Sequence, residues 1–158
     1  MNALRGLLQA LALSAYSLLM TLAQPLLLVK LGRRAKAEPL YAEYKSERFG
    51  FYPRYSNQAV RIPASTKTGL APGFVWVHAV SLGETNAAKI LIEHLRSEWA
   101  KRGWRFHLLL THGTATGREA GLDLLHEGDV QVWQPWDSPG AVNRFLRRFQ
   151  PTLGFLIE

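Results

Sequence analysis

The second half of the sequence alternates between short apolar runs and longer segments with helical periodicity. The apolar runs are rich in β-branched, aromatic and leucine residues, and they occupy 74–79, 105–111, 130–133 and 153–157. The segments between them predict helices at 86–99, from the loop at 111–117 to 125, and at 139–149. Strands and helices in this order are typical of a parallel sheet with right-handed crossovers. The sequence therefore predicts an α/β fold with a Rossmann-like parallel sheet.

Local signals refine this prediction. The first helix is expected to bury one face, formed by Ala87, Ile90, Leu91, His94 and Leu95. Ser138 is the predicted N-cap of the last helix, because Pro139 suits the first helical position. Ligands of such sheets bind beyond the carboxyl ends of the strands. The chain ends on a strand end, at Glu158, and we therefore expect the protein to continue beyond it.

The sequence divides into three parts: an apolar segment with a basic end at 1–36, a connection at 37–73, and the Rossmann-like domain at 74–158. Within the connection, residues 39–47 are predicted to form a short helix, followed by a turn at Gly50. Residues 57–73 are rich in Gly, Pro, Ser and Thr, which predicts a loop.

No charged residue occurs from Gly6 to Val29. As a helix this stretch would be roughly 35 Å long, enough to cross a hydrocarbon core of about 30 Å. A cleaved signal peptide is disfavoured, because basic residues crowd the far end. Two interpretations stay open. A single span is favoured by the length, and a helix that lies in the membrane interface is favoured by Pro25 and the glutamines.

The formal net charge of +7 is concentrated beside the apolar segment. Residues 1–36 contain no acid and five basic residues: Arg5, Lys30, Arg33, Arg34 and Lys36. This placement predicts attraction to an anionic membrane and a cytoplasmic position for the domain that follows. A nucleic-acid-binding domain would carry its basic residues on the folded part, so nucleic acid is not expected as a partner. The chain has no cysteine, which excludes disulfides and thiolate chemistry.

Glu84 follows the first predicted strand, where a doubly wound fold places its active site. A carboxylate there could act as a general base. The spacing Ser81-x-x-Glu84 also fits a capping box, in which Glu84 stabilises the start of the helix. From spacing alone, the cap is the favoured interpretation.

Gly83 and the small residues after it suggest a close approach of the backbone to an anion. The loop Gly113-Thr-Ala-Thr-Gly117 weakly resembles a phosphate loop, but it lacks the Lys-Ser/Thr ending of a P-loop. The alternative is an ordinary strand-to-helix loop with Thr116 as the helix cap. No G-x-G-x-x-G fingerprint occurs, which disfavours a nicotinamide-binding domain.

The five histidines show no metal-ligand spacing, and no metal site is predicted. His78 and His107 fall within strand patterns and are predicted to be structural. His112 lies at a strand end and is a weaker candidate for lining the site. Asp137, in the loop QPWDS, could either fix that loop or touch a substrate.

Several sequence blocks together resemble one enzyme family. In chain order they are KSERFGFY at 45–52, VHAVSLGET at 77–85, THGTATG at 111–117, QPWDSPGAVNRFL at 134–146 and the closing LIE at 156–158. Their order behind an apolar N-terminus is similar to that of the bacterial Kdo transferases. This family moves 3-deoxy-D-manno-octulosonic acid (Kdo) from CMP-Kdo to a lipid A precursor.

The resemblance implies a GT-B glycosyltransferase of the inner membrane's cytoplasmic face, made of two Rossmann-like domains. Glu84 then corresponds to the catalytic base, which reverses the preference for a cap, and Glu158 matches the first acid of a segment that is not continued here. The resemblance places a further set of residues near the lipid A acceptor: Ser81, Gly83, Thr111, Gly113, Thr114, Thr116, Gly117 and Arg48. Lys45, Arg48 and the basic residues near the anchor could also attract lipid A phosphates.

The chain departs from the family pattern at Leu82, and at Gly113 and Ala115 within the threonine-rich loop. The resemblance implies no cofactor, and it implies that CMP-Kdo binds a C-terminal domain absent from this sequence. We therefore expect no transferase activity from these 158 residues alone. Two alternatives stay open: another membrane-associated GT-B enzyme of envelope synthesis, and a non-catalytic, membrane-tethered binding module.

Overall fold

The computed structural model describes residues 2–55, 74–104 and 106–158. A long helix, α1, spans Asn2–Arg34 and is followed by three 3₁₀ turns at Pro39–Ala42, Lys45–Phe49 and Pro53–Tyr55. The remaining elements, in chain order, are β1 Phe74–Ala79, α2 Leu82–Lys101, β2 His107–His112, α3 Ala115–Gly121, β3 Val130–Trp133, α4 Pro139–Phe149 and β4 Leu153–Ile157. The loop predicted at 57–73 and the predicted strand residue Arg105 lie outside the described residues.

The four strands form one parallel sheet in the order β3-β2-β1-β4. In the central register, Val77 of β1 pairs with Leu110 of β2 and with Phe155 of β4. Because the strands are parallel, their carboxyl ends lie at one edge of the sheet. The α/β prediction is confirmed, and the segments that follow β1, β2 and β3 come together at this edge.

Side chains of β1 alternate between the two faces of the sheet, as the period of a strand requires. Phe74 packs with Phe145 and Phe149 of α4 on one face. Val77 and Ala79 pack with the helices on the other face, against residues such as Ile92. Helices therefore cover both faces, which explains why the strands are almost continuously apolar.

The prediction of a single helix at 39–47 is wrong. Tyr44 has φ 51°, in the left-handed region, and this residue separates the turn Pro39–Ala42 from the turn Lys45–Phe49. A non-glycine residue with positive φ interrupts a right-handed helix. The segment therefore folds as two short turns that pack against the end of the sheet.

The start and the buried face of α2 also differ from the prediction. The helix begins at Leu82 rather than at residue 86, because Ser81 caps it. Its buried residues are Thr85, Ala88 and Ile92, whereas Ile90 is 73% exposed. The earlier start fixes which residues meet the sheet, and it brings Glu84 into the first turn.

The helix predicted after the loop at 111–117, which was expected to reach 125, is shorter. α3 ends at Gly121 and continues only as a 3₁₀ turn at Leu122–Leu124. The helix lies so close to β2 that a Cβ at Gly121 would be 2.5 Å from His112 Nε2. β2 ends at His112, one residue later than predicted.

Candidate functional site

The loops after β1 and β2 are joined through the carbonyl oxygen of Val80. This oxygen accepts hydrogen bonds from Gly113 N (3.0 Å), Thr114 N (2.9 Å) and Thr114 Oγ1 (3.0 Å). Gly113 is required by the closeness of the two loops, since a Cβ there would be 2.6 Å from Val80 Cγ1. Two of the sequence-predicted loops therefore form one surface at the carboxyl edge of the sheet.

Glu84 is fixed by a complete capping box at the start of α2. Its Oε2 accepts from Val80 N (2.5 Å) and Ser81 N (3.3 Å), and its Oε1 accepts from Ser81 Oγ (3.0 Å). The Ser81 hydroxyl in turn accepts from Glu84 N at 3.4 Å. The carboxylate is partly exposed. Because three donors hold it, its position is well determined.

The electrostatic surroundings of Glu84 favour its charged form. Desolvation alone would raise its pKa, but hydrogen bonds from Val80 N and from the hydroxyl and amide of Ser81 outweigh that effect. The net result is a pKa of Glu84 below its ordinary value. The carboxylate is therefore ionised at neutral pH and able to accept a proton.

Gly83 lies beside Glu84 on the exposed side of the same turn. A Cβ at Gly83 would meet no atom within 4 Å. The space above the first turn of α2 is therefore open to a molecule approaching the Glu84 carboxylate.

His78 and Thr111 lie beneath this surface. The Thr111 hydroxyl, which is fully buried, accepts a hydrogen bond from Trp76 Nε1 (2.8 Å) and lies 2.8 Å from His78 Nδ1. Burial lowers the pKa of His78 below its ordinary value, although the nearby Glu84 charge partly opposes this. Thr111 supports the site from within rather than lining it.

His112, a sequence candidate for lining the site, is completely buried. Its Nδ1 is 2.9 Å from Ala79 O, and its Nε2 is 3.1 Å from Gln131 Nε2. Burial lowers the pKa of His112 to about 4, so the ring is neutral. This candidate is corrected: His112 ties β2 to its neighbours and has no exposed surface.

The threonine-rich loop caps α3 through Thr114, and not through Thr116, which was the cap in the alternative interpretation. Thr114 Oγ1 accepts from Gly117 N at 3.2 Å. Thr116 is exposed on the first turn of α3. Gly117 is buried, and a Cβ there would be 3.0 Å from the carbonyl of Ser81. Thr116 is therefore the most exposed threonine of this loop, while Gly117 lets α3 approach α2.

A contact between Arg48 and lipid phosphates would require an exposed guanidinium. Arg48 is instead buried, with only 4% of its surface exposed. Its guanidinium donates to Gly113 O at 2.8 Å, and to His112 O and Gln134 O at 3.4 Å each. It also lies 4.3 Å from the centre of the Trp133 ring. Desolvation lowers the pKa of Arg48 to about 10, so it stays charged at neutral pH. Arg48 therefore fixes the loops that follow β2 and β3.

Glu47 is a structural residue that the sequence did not single out. It is 1% exposed and accepts hydrogen bonds from Arg54 Nη2 (2.8 Å), Arg118 Nη1 (3.2 Å) and Trp133 N (2.7 Å). These contacts fix the 3₁₀ turn that carries Arg48. Its sequence neighbourhood of mixed charges gave no signal, because the partners are brought together only by the fold.

The structure therefore sorts the predicted site residues into two groups. The residues that are at least partly accessible at one edge of the sheet are Ser81, Gly83, Glu84, Gly113, Thr114 and Thr116, whereas Thr111, Gly117 and Arg48 are buried supports. Asp137 is exposed and accepts a hydrogen bond from Tyr16 of α1. Within residues 2–55, 74–104 and 106–158, no group of three His, Cys, Asp or Glu side chains could hold a metal ion. The accessible group presents one ionised carboxylate beside open space.

A family model described as 3-deoxy-D-manno-octulosonic-acid transferase (kdotransferase) matches residues 43–158. This range includes all four strands and Glu84. The chain is also 46% identical over 110 residues to the 3-deoxy-D-manno-octulosonic acid transferase of Bordetella pertussis, a match that covers 66% of this chain and 23% of that protein.

Two further relatives carry similar names. The 3-deoxy-D-manno-octulosonic acid transferase of Haemophilus influenzae is 27% identical over 143 residues, which are 90% of this chain and 30% of that protein. A probable mitochondrial 3-deoxy-D-manno-octulosonic acid transferase of Arabidopsis thaliana is 33% identical over 112 residues, which are 71% of this chain and 21% of that protein. The matches thus span 30% or less of each relative's length. No solved structure matches the chain significantly.

Proposed function

This chain belongs to the 3-deoxy-D-manno-octulosonic-acid (Kdo) transferase family, and from that premise we propose that it forms the acceptor-binding half of a GT-B glycosyltransferase. In this proposal the whole enzyme transfers Kdo from CMP-Kdo to a lipid A precursor during lipopolysaccharide synthesis. It works at the cytoplasmic face of the inner membrane. The donor binds in the part of the enzyme that lies outside these residues, so the 158 residues alone have no transferase activity.

The observation that carries the proposal is the position and ionisation of Glu84. Its carboxylate lies at the carboxyl edge of the sheet, where doubly wound folds bind their ligands. Open space adjoins it at Gly83. The residues that build this edge all fall within the range matched by the family model. A charged, accessible carboxylate in that place is suited to proton abstraction.

The proposed chemistry is general base catalysis. A hydroxyl of the acceptor sugar attacks the anomeric carbon of Kdo while CMP leaves, and Glu84 takes the hydroxyl proton as the new C–O bond forms. The hydrogen bonds that lower the pKa of Glu84 also make it a weaker base. Their benefit is positional, because a carboxylate held by Val80 and Ser81 needs no reorganisation before reaction.

The proposed acceptor contacts follow from the accessibility of the side chains. Ser81 and Gly83 form the turn beside the base, and Thr116 lies exposed on the neighbouring helix α3. Gly113 and Thr114 shape the loop between them, while Thr111, Gly117 and Arg48 hold this surface from beneath. We expect a direct role for the first group and an indirect role for the buried one.

The test is Kdo transfer by the protein made from its complete gene, in membranes supplied with CMP-Kdo and a tetraacylated lipid A precursor. Glu84→Gln is the informative variant, because glutamine also completes a capping box and keeps the shape of the side chain. It removes only the basic carboxylate. We expect a loss of at least about 100-fold in turnover with little change in melting temperature.

Glu93→Gln is the matched control, because Glu93 is exposed on the same helix and pairs only loosely with Lys89, at 3.9 Å. It should retain full activity. Full activity in Glu84→Gln would show that Glu84 is a cap and that the base lies elsewhere. Absence of transfer in the unmodified protein would refute the substrate assignment and leave the fold unaffected.

A further inference from the structure

α1 is long and apolar enough to cross a membrane, over Leu4–Arg34. It does not project away from the domain, however. Near its C-terminal end, Leu31 is buried in a cluster with Tyr41 and Trp133. Further towards the N-terminus, Gln24 Nε2 donates to Ser138 Oγ at 3.3 Å, and Tyr16 Oη donates to Asp137 Oδ2 at 2.5 Å. The helix therefore runs along the domain from Leu31 back to Tyr16.

These contacts are incompatible with a straight span. If Gly6–Val29 filled the hydrocarbon core, Tyr16 would lie about 15 Å from one end of the span and about 20 Å from the other. Asp137 and the irregular loop around it would then lie near the bilayer midplane. A carboxylate and non-helical backbone exposed to lipid are both strongly unfavourable there.

The two sides of α1 differ in character. At about 100° per residue, one set of exposed side chains falls within an arc of about 80°. These are Leu4, Leu8, Leu11, Leu18, Leu22, Leu26 and Val29. Gln9, Tyr16 and Gln24 lie on the side that meets the domain, together with the exposed Leu13, and Arg33 projects on the side of the stripe. An exposed apolar stripe that faces away from the attached domain is suited to contact with lipid in the membrane interface.

We propose that α1 does not cross the bilayer but lies in its interface, with the leucine stripe in the lipid and the domain on its other side. The proposed partner is an anionic bilayer surface, since Lys30, Arg33 and Arg34 are exposed near the end of the helix. This inference rests on the membrane association in the proposed function. It places both ends of α1 on the same side as Glu84, and it places Asp137 and its loop near the headgroups.

The test uses the absence of cysteine from this chain. Asn2→Cys provides a single thiol at the N-terminus, and Glu93→Cys provides a control thiol on exposed α2. Each chain is produced in Gram-negative cells whose outer membrane is permeabilised. The cells are treated with a membrane-impermeant maleimide before or after detergent lysis, and the membrane and soluble fractions are analysed separately.

If the proposal is right, both variants sediment with the membranes, and each thiol is labelled only after lysis. Labelling of the Asn2→Cys thiol in intact cells, with the Glu93→Cys thiol still protected, would show a spanning helix and overturn the proposal. Recovery of both variants in the soluble fraction would instead refute the membrane association itself. The failure of this inference is thereby distinguishable from the failure of the proposed localisation.

Discussion

Replacing Glu47 by glutamine probes the network that holds the strand-end loops. Glu47 Oε2 accepts from Trp133 N and from Arg118 Nη1, and its Oε1 accepts from Arg54 Nη2. Glutamine has one acceptor oxygen and one amide nitrogen, so in either orientation a donor faces a donor. Arg118, which is only 5% exposed, would also lose the negative charge of Glu47 that neutralises it.

The expected cost follows from these contacts. Removing one partner of a buried ion pair destabilises a protein by about 3–5 kcal/mol, because the other charge stays buried without compensation. The Arg54 contact adds little, since that side chain is 35% exposed and the pair is partly screened. We therefore expect Glu47→Gln to lower the free energy of unfolding by about 3 kcal/mol. For a chain of this size the melting temperature would fall by roughly 10 °C.

Thermal unfolding of the detergent-solubilised chain, followed by circular dichroism, measures this loss. Glu93→Gln, which removes an exposed carboxylate, should change the melting temperature by less than about 2 °C. A double-mutant cycle combines Glu47→Gln with Arg118→Gln. The double variant should lose about 0.5–3 kcal/mol less unfolding free energy than the sum of the losses in the two single variants. A loss below about 1 kcal/mol in Glu47→Gln, or strict additivity in the cycle, would refute the role of the buried charge.

Two further predictions concern the packing between α3 and β2. Gly121→Ala should lower the free energy of unfolding by about 1–3 kcal/mol, because its Cβ would meet His112 Nε2 at 2.5 Å and Gln131 Nε2 at 2.6 Å. In the same denaturation assay Gly83→Ala, which has open space, should cost nothing measurable. His112 has its pKa lowered to about 4, so its contribution to stability is complete above the unfolded-state pKa of about 6.5 and is lost as the pH falls towards 4. Between these pH values the unfolding free energy of the unmodified chain should fall by about 3 kcal/mol more than that of His112→Gln, and equal pH dependence of the two chains would contradict this.

The order of strands and helices was predictable because it depends on local patterns. Short apolar runs bounded by turns predicted β1, β3 and β4 with the bounds that the structure has, and Pro139 marked the start of α4 correctly. The Ser81–Glu84 spacing predicted the capping box that the structure contains. Each of these features is specified by residues that are close together in the sequence.

Features that depend on contacts between segments were not predictable in this way. The segment at 39–47 has no clean period, and the short helix predicted there is interrupted at Tyr44, which adopts a left-handed conformation. Arg48 has the charge of a surface residue, but it is buried and donates hydrogen bonds to three backbone carbonyl groups. The partners of Arg48 lie more than 60 positions away in the sequence.

The sequence by itself determined that this chain forms a parallel α/β domain behind an apolar helix, and that one acidic residue stands at the start of α2. Tertiary structure alone decided which of the candidate residues are accessible. It joined two loops through Val80 O, buried Thr111 and His112, and left Glu84 beside open space at Gly83. It also set α1 against the domain through Tyr16 and Gln24, contacts between residues more than 100 positions apart in the chain. The physical reason is that hydrophobic periodicity, capping and turn propensity act over a few neighbouring residues. Burial, in contrast, depends on which distant segments pack together.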